Sequence, residues 1–169
     1  MAAEEFIRSK CQYVIHICNI KQDKNIMSFG SHLRLDEILD KHGIRSRRVS
    51  IHWNDFDFDG YFELAKCILE EYPDLDGLMA ADLPATAFLK AAIALGKKIP
   101  EDFVIVAYDG TFVTKTCTTK MTTICQPYEK IAYKAVEILI SLIGQTVNGT
   151  DVEKEVIFPV ILEKGNTTK

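Results

Sequence analysis

The residues of this chain able to engage a small molecule are carboxylates and aromatic rings, and they stand where apolar runs end. Asp109 closes Phe103-Val-Ile-Val-Ala-Tyr-Asp109 after a Pro100-Glu101-Asp102 turn, and Asp82 closes Asp76-Gly-Leu-Met-Ala-Ala-Asp82. The loop Trp53-Asn-Asp-Phe-Asp-Phe58 follows a third run, and Tyr128 comes directly after Gln126-Pro127. Carboxylates and arginines take hydroxyls, while rings stack on the apolar face of a sugar. The set has the composition of a carbohydrate pocket. Plainer roles exist for several members. Helix capping fully explains Asp82, which has Pro84 in the following turn. The aromatic loop either walls a pocket or roofs the core. Arg34, between the apolar positions of a helix, is a solvated or paired side chain or else a ligand contact.

Other chemistries lack their residues. No nucleophile with an adjacent base, no metal cluster, no dinucleotide-binding glycine motif and no P-loop occurs, so neither catalysis nor a cofactor or metal is expected. The four histidines, at 16, 32, 42 and 52, never pair at ligand spacing; His16 reads as a core histidine and His42 suits a helix C-terminus. The five cysteines, at 11, 18, 67, 117 and 125, form no CxxC and read as buried thiols in a reducing cytoplasm. A net charge of −4 and thinly spread Lys and Arg do not make a nucleic-acid face, and Arg45, Arg47 and Arg48 read as a solvated turn. The first residues carry no secretory signal, and no run of ~18 apolar residues offers a membrane span.

The elements that position these groups alternate. The pattern predicts a helix over 2–9, then a buried strand from Cys11 to Cys18, a helix from Phe29 to Gly43 and a strand from Arg48 to His52. A helix ending near Tyr72-Pro73, a strand over Asp76–Ala81 and a helix from Asp82 to Gly96 follow. The Phe103–Ala107 run reads as a central strand buried on both faces, which delivers Asp109 to the carboxyl edge of a parallel sheet, where ligands of open α/β sheets bind. A Thr-rich loop to residue 120, a strand over Met121–Cys125, a long helix closed by Gly144 and a strand over 155–162 complete the chain. Ile131, Val136, Ile138, Leu139 and Leu142 fall near one face of that helix. The result is one domain of α/β class, a three-layer α/β/α sandwich around a mostly parallel, doubly wound sheet. Opening in mid-helix, the chain looks cut.

Five segments in register carry a resemblance. Asp76-Gly-Leu-Met-Ala-Ala-Asp82, Gly96-Lys-Lys-Ile-Pro-Glu-Asp102, Val104-Ile-Val-Ala-Tyr-Asp109, Met121-Thr-Thr-Ile-Cys-Gln-Pro127 and Glu163-Lys-Gly-Asn-Thr-Thr168 together resemble the effector-binding core of LacI/GalR-family bacterial transcription repressors. Tyr108-Asp-Gly-Thr111 and the Thr-Ile-Cys-Gln-Pro run look most like sucrose-operon repressors. The resemblance implies one lobe of a periplasmic-binding-protein-like type I fold. Residues 1–169 would be the C-terminal effector-binding lobe, with the helix-turn-helix headpiece and most of the N-terminal lobe outside them.

The resemblance also assigns roles. Arg34, in His-Leu-Arg-Leu, aligns with the family arginine that grips sugar hydroxyls or a corepressor, and Asp109 with the aspartate that accepts from hydroxyls. Tyr128 takes a position that lines the pocket. Ala81 replaces the usual amide, leaving Asp82 to supply a polar contact. Trp53 and Phe56 are both eligible for the stacking position, Phe56 being preferred. Glu37 replaces a usual glycine, which puts the packing of that helix in question. The implied protein is a cytoplasmic allosteric switch that binds a sugar or sugar phosphate between lobes, forms a homodimer, and reaches operator DNA only through the missing headpiece. A secreted transport-type sugar-binding protein and a Rossmann-like enzyme are the alternatives.

Overall fold

The computed structural model describes residues 1–19, 27–52, 57–148 and 155–169. In chain order the elements are α1 (Ala2–Ser9), β1 (Tyr13–Asn19), α2 (Met27–Lys41), β2 (Arg45–Ile51), α3 (Phe58–Glu71), β3 (Gly77–Ala81), α4 (Asp82–Ala94), β4 (Val104–Asp109), α5 (Phe112–Lys115), β5 (Thr122–Cys125), α6 (Tyr128–Asn148) and β6 (Ile161–Glu163). The strands form one sheet in the order β2-β1-β3-β4-β5-β6. Its first five strands are parallel, and β6 runs antiparallel to β5.

Period-two alternation along the strands builds two cores, one on each face. Val14, Met79, Val104 and Val106 meet Phe6 of α1 and Leu35 and Leu39 of α2. Ile15, Ile17, Leu78, Ala80, Ile105 and Ala107 meet Leu69 of α3 and Phe88 and Ala92 of α4. Both faces are covered, as a parallel sheet requires, and the expected three-layer architecture is the one observed.

Several boundaries differ from the sequence reading. The strand expected from Arg48 begins at Arg45 and pairs with β1 along its full length, Tyr13↔Arg45 to Asn19↔Ile51. Its arginines therefore stand on an edge strand and not in a solvated turn. Arg45 pairs with Asp74 and lies over the Tyr13 ring. Arg47 donates to the Tyr72 hydroxyl at 2.5 Å, and Arg48 Nε sits 3.1 Å from Asp36 Oδ2. The Thr-rich loop contains α5, started by the Thr111 side chain accepting from the Val113 N–H. Helix α6 continues through Gly144 to Asn148, and the strand expected over 155–162 is reduced to β6. Pro159, which has no N–H to give a ladder, precedes the paired segment. On α6, Tyr133, Val136, Leu139 and Leu142 are exposed instead of packed.

The C-terminal tail closes the sheet. The Ile105 N–H donates to the Thr167 carbonyl at 2.9 Å, and the Thr167 hydroxyl donates back to the Ile105 carbonyl at 2.7 Å while accepting from the Thr122 N–H at 3.0 Å. Gly165 is required beside it, because a Cβ there would lie 2.4 Å from the Lys120 carbonyl oxygen. The buried Glu5 carboxylate takes Arg8 of its own helix and Lys164 of the tail, fastening α1 to the chain's end. Thr167→Val keeps the volume and orphans a buried N–H. It should lower unfolding free energy by about 1–3 kcal/mol, read as an earlier urea midpoint with an unchanged m-value.

Candidate functional site

The chain leaves β1 towards β2 on one side and returns to β3 on the other. Such a reversal opens a crevice at the carboxyl ends of the two strands, which is where an open α/β sheet binds its ligand. A cavity of about 630 Å³ lies there, within the range that takes small molecules. Leu35 and Ile38 of α2, Met79 of β3 and Ile124 of β5 give it an apolar floor, and the start of α1 adds Met1, Ala2 and Ala3. Its polar groups are Ser31, His32, Arg34, Asp109 and Gln126, with Cys18 and Tyr108 at strand ends.

Asp109 stands at the end of β4, as the apolar run predicts. Its φ is +99° and that of Gly110 is +73°, so two consecutive residues occupy the left-handed region. At Gly110 only glycine fits, since a Cβ would fall 2.7 Å from the Cys125 Cα. Gln126 Nε2 donates to Asp109 Oδ1 at 2.7 Å, and the Gln126 N–H donates to the Asp109 carbonyl. Burial raises the Asp109 pKa; the Gln126 bond opposes this, and the Asp82 charge adds to it.

Asp82 performs a different task from capping. It is the first residue of α4, whose N-cap is Ala81, and its side chain makes no cap to its own helix. The buried carboxylate instead accepts from the Gly110 N–H at 3.4 Å and from the Thr111 N–H and hydroxyl at 2.5 and 2.6 Å. It holds the turn that carries Asp109 and does not itself line the cavity.

Arg34 lies at the rim on α2, exposed and paired with Glu37 Oε2 at 2.7 Å. Glu37, the residue out of keeping with the family pattern, thus serves as the arginine's partner. Tyr128 opens α6 with its ring half-exposed and outside the cavity lining. Burial first, then the charges of Asp109 and Asp82, push its phenol up to about 12. Trp53 and Phe56 lie outside the described residues. The cavity thus gathers Arg34 and Asp109 and leaves Asp82 behind them.

Three polar participants escaped the sequence reading: His32, His16 and Gln126. His16 on β1 and His32 on α2 meet only because that helix packs on that strand, and their separation in sequence carries no ligand signature. A histidine inside the apolar run of β1 was the available sign. His42 is where a helix C-terminus wants it, its Nδ1 2.8 Å from the Ile38 carbonyl. Among the described residues no group of His, Cys, Asp and Glu could hold a metal ion.

Fold, switch-point cavity and polar rim together make an α/β domain with a crevice of small-molecule size at its carboxyl edge. The chain belongs to the periplasmic binding protein-like domain family, whose model matches residues 3–168. It is 28% identical over 145 residues to a ribose operon repressor of Halalkalibacterium halodurans, covering 85% of this chain and 42% of that protein. It is 32% identical over 106 residues to the sucrose operon repressor of Streptococcus mutans, covering 62% of this chain and 31% of that one. The chain thus spans less than half the length of these relatives. The solved structure of a LacI-family transcriptional regulator from Arthrobacter sp. FB24 in complex with lactose superposes with a TM-score of 0.80 at 21% identity, over 99% of this chain and 62% of that one. That likeness is one of fold.

Because burial raises the Asp109 pKa above its unfolded value, ionised Asp109 weakens the folded state. The stability it costs is absent below the ordinary carboxylate range and appears as pH rises through the folded pKa. Asp109→Asn, which retains an acceptor for Gln126, should unfold at equal or higher urea than the parent at pH 7. The gap should close as pH falls below 4, in paired denaturation curves.

Proposed function

We propose that this chain is the sugar-sensing lobe of a LacI-type transcriptional regulator, and that the cavity at the carboxyl edge is half of its effector cleft. The carrying observation is the placement of Arg34 and Asp109 at the rim of one cavity at the switch point. A guanidinium and a carboxylate lining one largely apolar cavity match the donors, acceptors and hydrophobic face of a saccharide. The described relatives are transcriptional regulators of sugar operons, and the effector is bound here without being transformed.

In this reading residues 1–169 are the C-terminal lobe, and a second lobe closes the cleft. The solved neighbour with lactose extends well beyond the part this chain covers. The exposed apolar residues of α6, Tyr133, Val136, Leu139 and Leu142, are the surface that second lobe covers. No helix among the described residues is long and apolar enough to cross a membrane. Effector binding favours the closed lobe arrangement and transmits it to a DNA-binding segment outside this chain, in a cytoplasmic homodimer.

Calorimetric titration with ribose, sucrose, lactose and sucrose 6-phosphate tests the site. Saturable binding of at least one is expected, with Arg34→Ala and Asp109→Ala each weakening it about tenfold or more, as loss of a charge-assisted hydrogen bond requires. Binding that both variants leave intact would place the ligand elsewhere, and silence of the full-length regulator, with both lobes present, towards all four would remove the saccharide assignment.

A further inference from the structure

Beside the cavity lies a chain of polar groups that the pocket reading leaves unused. His16, buried on β1, faces α2, and that helix grips its ring from both sides. His32 Nδ1 lies 2.8 Å from His16 Nδ1, and Asp36 Oδ1, one helical turn further on, lies 2.8 Å from His16 Nε2. The two imidazoles are inclined by only 16° with centroids 5.0 Å apart. That separation is the N···N distance plus two ring radii, so the rings meet edge to edge through a single in-plane hydrogen bond instead of stacking face to face.

The direction of that bond follows from its anchor. Asp36 also takes the Ser46 hydroxyl at 2.6 Å and Arg48 Nε at 3.1 Å, three donors that suit an ionised carboxylate able only to accept. His16 must therefore carry its proton on Nε2 and offer a lone pair at Nδ1. His32 must then donate from Nδ1, which leaves a lone pair on its own Nε2. Among the described residues nothing hydrogen-bonds that nitrogen, yet it is not one of the buried polar atoms lacking a partner. His32 lines the cavity next to Tyr108, whose ring meets it edge-on at 6.1 Å, so Nε2 opens into the cavity.

Burial keeps the pair neutral, with the facing charges divided. Burial lowers the pKa of both rings; at His16 the Asp36 bond and charge oppose it and Arg48 adds to it. His32 is brought down to about 4 by burial, by His16 and by Arg48, against the pull of Asp36.

We propose that His32 is a specificity-determining ligand contact whose Nε2 accepts a hydrogen bond from the ligand, and that His16 and Asp36 are positioning residues that fix its tautomer. Resting on the saccharide reading above, the donor is a sugar hydroxyl. A phosphoryl or carboxylate oxygen at the same place would meet lone pair against lone pair, so the charged group of a sugar phosphate is excluded from this corner.

Long-range nitrogen–proton NMR of the imidazoles at pH 7 tests the relay without ligand. The expected spectrum has His16 protonated at Nε2, and His32 protonated at Nδ1 with a bare Nε2. Asp36→Asn should reverse the order: the new amide donates to His16 Nε2, His16 donates from Nδ1, and His32 acquires a proton on Nε2. A purely structural role for Asp36 would not invert the tautomer of a ring it does not touch. His16→Phe supplies a second variant, in which His32 loses its fixed tautomer. Addition of a binding sugar from ribose, sucrose and lactose should shift the His32 Nε2 resonance, and Asp36→Asn should weaken that sugar about tenfold. His32 protonated at Nε2, or as imidazolium, in the parent overturns the proposal, as does a sugar that binds without moving Nε2. If none of the three sugars binds, the saccharide reading and the ligand contact fall together, while the tautomers still decide the relay.

Discussion

The turn that ends β4 governs the site. Asp109 and Gly110 both sit at positive φ, a pairing that costs about 1–2 kcal/mol at the non-glycine position, and the buried Asp82 carboxylate holds the turn from behind through Gly110 and Thr111. Cys125 closes the other side so tightly that no Cβ fits at Gly110. One carboxylate is spent on backbone geometry so that a second, Asp109, faces outward at a defined place, steadied by Gln126. Backbone strain of this kind is held where the surroundings over-determine it, and here they are two strand ends and a helix start.

The parallel sheet supplies those surroundings. Covered on both faces, it has a rigid carboxyl edge, and the reversal between β1 and β3 opens a crevice in that edge along the order β2-β1-β3-β4-β5. Face one, with α1 and α2, carries the cavity and the two histidines; face two, with α3 and α4, is a closed apolar core. The tail residues Thr167 and Thr168 lock the opposite side of β4 and β5, so rim and base are both fixed by hydrogen bonds to the same two strands. The unpartnered apolar face of α6 contrasts with this economy and is the reason for reading the chain as one lobe of a larger fold.

What the sequence made legible was whatever depends on short-range pattern. The run Phe103–Ala107 announces a doubly buried strand, and so places Asp109 at the edge without further information. Arg45, Arg47 and Arg48 misled because an edge strand pairs on one side only and tolerates charges that find Asp74, Tyr72 and Asp36 in space. Gly144 resembles a helix stop, yet glycine permits a C-terminus without imposing one, and α6 passes through it. Asp82 fitted a local cap so well that its true partners, on the loop after the next strand, left no trace in the pattern. The His16–His32 contact is of the same kind, fixed by packing of α2 on β1 and invisible to spacing. Trp53 and Phe56 fall outside the described residues.

A crystal structure of the protein grown with a saturating sugar addresses the central claim most directly. The account predicts sugar density in the cavity over the carboxyl ends of β1, β3 and β4, with hydroxyls on Arg34 and Asp109 and the apolar face of the ring towards Leu35 and Met79. Density for the sugar on the opposite face of the sheet, against α3 and α4, or at the edge of β2 would contradict it.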